Sequence, residues 1–360
     1  MAGTHDLTAA YRLDPRPWVA DEDGPGAVAA VLSGGQVRSW VSRGRAGIGG
    51  APALSPQTVF YIASLSKQFT AVCVARCETD GRLDIDASVR AYIPELPALF
   101  DPITPKMLLH HLGGLPHGRV LRAAPEIDGD WWDGLGLWDL IAVLAREPEL
   151  APPGEGYVYS NCGYWLLAAC VERVSGQSFA AFARQRLFEP LGMAQSRFRD
   201  NPDMPQPSLA LGHKSKDGRF EPVQTRFHGV GDGGLLTNLD DLAKWDVFWS
   251  GRSALGDALP ARLLEQGVRN DGRRLYYAWG VSVRSHRGTP SLSHSGGYIG
   301  YLTRLVRFPE HDFSVACVAN TDHVDVDGFA MAVADAVLGD TVDQAAPSWG
   351  ASVRDDALAP

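Results

Sequence analysis

An α+β fold is predicted, with strands gathered near both chain ends and a long, mainly helical stretch between them. Two observations carry this reading. Short apolar runs bounded by turn residues lie before residue 64 and return after residue 274. Between about 81 and 270, apolar residues recur at helical spacing and are separated by loops. In chain order, 27–32 and 36–44 are two strands around Ser33-Gly34-Gly35, hence a hairpin. Residues 58–63 lead into a turn at Ser64, and 65–79 are apolar enough for a buried helix. Helical spacing marks 138–146, 162–174, 179–187 and 240–249. Strands return at 276–285, 291–294, 301–308 and 313–319, a helix over 326–338 closes the fold, and the chain from Asp340 reads as unstructured. The expected division is an α/β lobe from 1–80 and 271–345, a mainly helical inserted lobe from 81–270, and a tail from 346–360.

Composition excludes several classes of function. A chain of 360 residues can bury a large core, and 45% hydrophobic with 21% charged residues is ordinary for a globular protein. With 33 basic against 42 acidic residues the net charge is −9, and no basic run interrupts it, so no nucleic-acid partner is expected. No stretch approaches the roughly 18 apolar residues of a membrane span. The start carries Asp6, Asp14, Asp21, Glu22 and Asp23 and lacks the apolar core of a signal peptide. A cytoplasmic location without membrane contact is the expectation. Cys73, Cys77, Cys162, Cys170 and Cys317 cannot all pair and sit in apolar segments, which reads as buried free thiols.

The chemistry-bearing residues begin with Ser64-Leu65-Ser66-Lys67. A serine hydroxyl needs a base beside it to act as a nucleophile at neutral pH. A lysine three positions on, in a helix, lies about one turn away on the same face. Of the five lysines, only Lys67 has a serine three residues before it, while Ser66 is followed at position 69 by Phe. Tyr159-Ser160-Asn161 is the single Tyr-x-Asn of the chain and follows the turn signal Pro152-Pro153-Gly154. His294-Ser295-Gly296-Gly297 stands ahead of 298–308, which reads as one strand turning into another. His111-Leu112-Gly113 and His286-Arg287-Gly288 have the same spacing, so it is position that favours His294.

Other signals have plainer readings. Gly229 to Gly234 satisfies Gly-x-Gly-x-x-Gly, but that fingerprint needs a buried strand before it and 223–228 is largely polar. His110, His111 and His117 share no ligand spacing with a carboxylate or cysteine and read as structural. Trp131, Trp132 and Trp138 read as packing in the helical lobe. No metal and no cofactor is expected.

The three motifs resemble those of the serine β-lactamase and penicillin-binding-protein family, in its class C and esterase-like branch. Residues 25–31, 108–115, 190–193, 233–237 and 241–243 add further matches in the family's order. The resemblance implies a central antiparallel sheet built from both chain ends and flanked by helices, with the helical lobe inserted and the site in the cleft between. It implies that Ser64 attacks an amide or ester carbonyl, with Lys67 and Tyr159 sharing its proton. It also implies an oxyanion hole of the Ser64 and Gly297 N–H groups and substrate contacts from Asn161, His294, Ser295 and Gly296. Free lysine and tyrosine each cost about 4 kcal/mol to neutralise or ionise at pH 7. Burial would ease this for lysine and a nearby ammonium for tyrosine, so the resting base stays open. Antibiotic-destroying members carry lysine where this chain has His294, which points toward esterases, amidases and peptidases. The expected substrate is a small-molecule or short-peptide acyl group, with hydrolysis as the reading and acyl transfer or peptide cyclisation as the alternative.

Overall fold

In the N-terminal hairpin, β1 (Ala27–Ser33) and β2 (Gln36–Arg43) pair antiparallel across Gly34 and Gly35, whose φ of 58° and 79° the tight turn requires. The computed structural model describes residues 6–117, 134–146, 150–204, 206–223 and 226–339. A short β3 (Phe60–Tyr61) leads through a 3₁₀ turn, Ala63–Ser66, into α1 (Lys67–Thr79). The helix therefore begins two residues later than its apolar pattern suggests. Next come α2 (Pro105–Leu109), capped by Thr104, α3 (Leu137–Leu144) and α4 (Asn161–Ser175). Then α5 (Phe179–Ala183) passes through a π-helical turn into α6 (Glu189–Leu191).

The stretch expected to be helices and loops also contains strands. These are β4 (Arg197–Phe198), the hairpin β5 (Gly212–Lys216) with β6 (Arg219–Val223), and β7 (Leu235–Thr237). Asp217-Gly218, at φ 50° and 73°, makes the β5–β6 turn. That dipeptide is a hairpin signal, masked by flanking residues too polar to read as strand. After α7 (Leu239–Trp249) and α8 (Ala258–Leu263) come β8 (Ser282–His286), β9 (Thr289–Tyr298), β10 (Tyr301–Phe308), β11 (Phe313–Ala319) and α9 (Val326–Leu338). The strand expected from 276 starts only at Ser282, because Gly280 turns at φ 72° against the Lys67 carbonyl. Among the described residues, one antiparallel sheet runs β2-β1-β11-β10-β9-β8, joining both chain ends, and a smaller sheet runs β3-β7-β4.

Both faces of the main sheet are covered, which is why β1 and β11 read as unbroken apolar runs. Ala29, Val31, Val315 and Cys317 face α9, while Ala30, Val318 and their neighbours face the core shared with α1, α4 and α7. The five cysteines are buried and unbridged. Trp138 is 38% exposed; its Nε1 donates to Glu172 at 2.7 Å and Arg173 stacks on its ring, so it is a surface contact and not core packing. Trp131, Trp132 and the tail from Asp340 lie outside the described residues.

Candidate active site

Ser64 owes its position to a strained turn. Ala63 has φ 47°, a left-handed value uncommon for a residue with a Cβ, and it lifts Ser64 to a half-buried place between β3 and α1. One turn on, Lys67 is fully buried. Its Nζ donates to Ser64 Oγ at 3.1 Å, Asn161 Oδ1 at 2.9 Å and the Asp232 main-chain oxygen at 2.8 Å. Asn161 opens α4, and the loop before it is pinned by Ser160. The Ser160 N–H donates to His111 Nδ1 at 3.1 Å and its hydroxyl to the Pro116 carbonyl at 2.6 Å. This brings the Tyr159 hydroxyl into hydrogen bonding with Ser64, and Lys67 Nζ lies 4.9 Å from the Tyr159 ring centre.

Burial sets the two candidate bases apart. It lowers the Lys67 pKa to about 8, with the Asp232 charge opposing. The same burial pushes Tyr159 well above its ordinary value, and its bond to Ser64 only partly offsets this. The easing of tyrosine ionisation by a nearby ammonium, expected from the sequence, is thus outweighed by desolvation. A neutral Lys67 at pH 7 costs about 1.4 kcal/mol, against about 4 kcal/mol for a free amine.

β9 supplies the opposite wall. His294 and Gly296 share a face, as alternation in a strand requires. A Cβ on Gly296 would lie 2.5 Å from the Ile62 carbonyl oxygen and 3.0 Å from the Ser64 nitrogen, so only glycine lets the strand pass so close. Tyr298 opposes Tyr301 across the Ile299-Gly300 turn, and Gly297 opposes Leu302. Hydrogen-bonded and non-bonded pairs alternate along the ladder, so with Tyr298 and Tyr301 closing the hairpin, the Gly297 N–H points away from β10. On that side β8 pairs only as far as Ser293. The Gly297 N–H therefore faces the cleft beside the Ser64 turn.

His294 Nδ1 lies 2.5 Å from the Ser295 carbonyl oxygen and Nε2 lies 2.9 Å from Tyr277 Oη. A carbonyl only accepts, so Nδ1 carries the proton and Nε2 accepts from the tyrosine. Burial and the Lys67 charge lower the His294 pKa to about 3, and the imidazole is neutral. Ser295 is exposed on the alternate face, and its carbonyl is what fixes His294.

Sequence reasoning missed Asp232, Tyr277 and the place of His111. Tyr277 carries no local signal. His111, read as structural, is buried against Tyr159 with ring centres 4.3 Å apart, and burial with the Lys67 charge holds it well below its ordinary pKa. Asp232 sits inside the Gly229–Gly234 run. There Gly231 adopts φ 106° and a Cβ would lie 2.3 Å from the Tyr164 carbonyl oxygen. Gly231 serves a close approach of backbone to α4. Among the described residues no group of three or more His, Cys, Asp or Glu could hold a metal ion, and no helix is long and apolar enough to cross a membrane.

Comparison with known proteins bears on this geometry. A family profile described as Beta-lactamase matches residues 16–340. Penicillin-binding protein 4* of Bacillus subtilis is 28% identical over 294 residues, covering 75% of this chain and 62% of that one. The D-aminopeptidase of Brucella canis is 27% identical over 285 residues, covering 77% and 53%. The chain thus spans less than two thirds of either relative. The octameric penicillin-binding protein homologue from Pyrococcus abyssi superposes with a TM-score of 0.78 at 25% identity, covering 89% and 75%.

Proposed function

The chain belongs to the β-lactamase family, and from that premise we propose that it is a serine hydrolase cleaving an amide or ester through a covalent seryl ester on Ser64. The observation that carries this reading is the triple hydrogen bonding of Lys67 Nζ. A neutral amine has two N–H donors and one lone pair. With its donors on Asn161 and the Asp232 carbonyl, its lone pair is left aimed at the Ser64 hydroxyl. The bond to Ser64 then reverses direction, and Lys67 is the general base.

Ser64 Oγ gives its proton to Lys67 as it bonds to the substrate carbonyl carbon. The N–H groups of Ser64 and Gly297 hold the resulting oxyanion. Tyr159 stays a neutral phenol and passes the proton from Lys67 to the leaving nitrogen or oxygen, whose bond to carbon breaks. Water then attacks the seryl ester, Lys67 takes a proton from it, and Ser64 leaves with a proton as free acid forms. Because His294 is neutral, it holds no positive charge for a substrate carboxylate. Acyl groups without a carboxylate at that point, on small molecules or short peptides, fit best, and D-amino-acid amides come first because a relative is named D-aminopeptidase.

The test is labelling with a fluorophosphonate, followed by peptide mass mapping and turnover of amides and p-nitrophenyl esters. The adduct is expected on Ser64, with Ser64→Ala unlabelled and free acid as the main product. Labelling undiminished in Ser64→Ala would reject the assignment. An amide product exceeding free acid at millimolar amine would make the enzyme an acyltransferase.

A further inference from the structure

The Lys67 amine becomes an ammonium each time it takes a proton, inside a site from which water is largely excluded. The groups facing it come from several elements. His111 follows α2, His294 lies on β9, Tyr159 and Tyr164 flank the start of α4, and Asp232 lies in the loop before β7. Burial drives both histidines down and both tyrosines up, so all four are neutral near pH 8. Tyr61 and Cys162, which face the Asp232 side, are likewise pushed up by burial. Asp232 is the acidic group whose charge acts on Lys67.

Asp232 is 8% exposed as a residue, and its carboxylate is built into the fold. Trp165 Nε1, from α4, donates to Asp232 Oδ1 at 2.7 Å, and the N–H groups of Asp232 and Gly233 also turn toward the carboxylate. Thr70 Oγ1, on α1, holds the same loop through the Gly231 carbonyl at 2.7 Å. The ammonium itself meets the Asp232 main-chain oxygen. One residue thus fixes Lys67 through its backbone and supplies a nearby negative charge through its side chain.

Resting on the serine-hydrolase reading above, we propose that Asp232 is a positioning residue for the reaction, the buried counter-ion of the ammonium that Lys67 becomes when it takes the Ser64 proton. Burial raises the Asp232 pKa above the ordinary carboxylate value, and the Lys67 charge first, then the Trp165 hydrogen bond and the loop N–H groups, favour the ionised form against it. The arrangement balances two demands. Desolvation makes Lys67 basic enough to be free near neutrality, and the carboxylate keeps it from becoming too weak a base.

The experiment follows the rate of fluorophosphonate labelling of Ser64 against pH in the wild type, Asp232→Asn and Trp165→Phe, with circular dichroism checking the fold. Wild type is expected to show half-maximal labelling near the Lys67 value of about 8. Removing an adjacent negative charge lowers a lysine pKa, so in Asp232→Asn that midpoint should fall by about one unit. Asparagine can still accept from Trp165, so a purely structural role would lower the rate without moving the midpoint. Trp165→Phe keeps the carboxylate without its hydrogen bond and should shift the midpoint in the same direction by less. If Asp232→Asn folds and its midpoint stays put or rises, the proposal is overturned. If that variant does not fold, an unmoved midpoint in Trp165→Phe overturns it instead. Failure of wild-type Ser64 to label, or a profile unchanged in Lys67→Ala, would reject the serine-hydrolase reading itself.

Discussion

In the proposed mechanism neutral Lys67 accepts the Ser64 proton, so activity should follow the deprotonation of a lysine whose burial lowers its pKa to about 8. Below that value the ammonium dominates, and kcat/KM for an uncharged ester should fall about tenfold per pH unit. Above it the rate should plateau beyond pH 10, because burial pushes Tyr159 up and no phenolate forms there. His294, with a pKa lowered to about 3, should leave no mark between pH 5 and 7. His294→Gln can still accept from Tyr277 and donate to Ser295. It is expected to keep the wild-type profile with less than about a tenfold loss of rate. A limb near pH 6.5 in the wild type that vanishes in the glutamine variant would show instead that the histidine titrates in the working enzyme.

At the scale of elements, the site depends on β9 lying flush against the turn that carries Ser64. Thr303 Oγ1 on β10 donates to the Ile62 carbonyl at 3.1 Å, tying the sheet to that turn. A methyl group at Gly296 would meet the Ile62 oxygen at 2.5 Å and Thr303 Oγ1 at 2.5 Å, two partners of which one is backbone. Gly296→Ala should therefore push β9 outward and carry the Gly297 N–H with it. Losing one oxyanion donor typically costs about a hundredfold in rate. Acylation measured by stopped-flow should drop by that order while circular dichroism stays native. Near-wild-type acylation would show that the strand relaxes without moving the Gly297 N–H, or that this donor is not used.

At the scale of the molecule, α7, from the middle of the chain, packs on the sheet built from both chain ends. A buried ion pair joins the two. Arg307 on β10 bonds Asp246 on α7, while Asp246 also accepts from Ser314 Oγ on β11 at 2.5 Å and Arg307 reaches Asp312 at 2.7 Å. Removing one partner leaves a buried charge, which typically costs about 3–5 kcal/mol. Arg307→Met should lose that much in urea unfolding, and adding Asp246→Leu should restore a large part. A single variant within about 0.5 kcal/mol of wild type would mean that the pair adds no net stability.

The sequence by itself marked Ser64, Lys67, Tyr159 and Asn161, the residues of the proposed mechanism, because their motifs are written in local spacing. Ser64 and Lys67 stand three residues apart, one turn in a helical segment, and Asn161 follows Tyr159 by two residues. It also determined the sheet strands that are apolar on both faces, β1 and β11, and the helices whose apolar positions recur at period 3.6. It did not reveal the β5–β6 hairpin, whose strands bury little and so carry no apolar pattern. Nor could it reveal that residues from 276 bend away before β8, since that depends on Gly280 meeting Lys67 in space. Tertiary structure alone decided the protonation order. Whether Lys67 or Tyr159 is the readier base is set by how far each is desolvated and by which charges face it, and the charge that faces both, that of Asp232, is 165 positions beyond Lys67 in the chain. Desolvation and Coulomb interaction depend on distance through space, and only the folded chain fixes that distance.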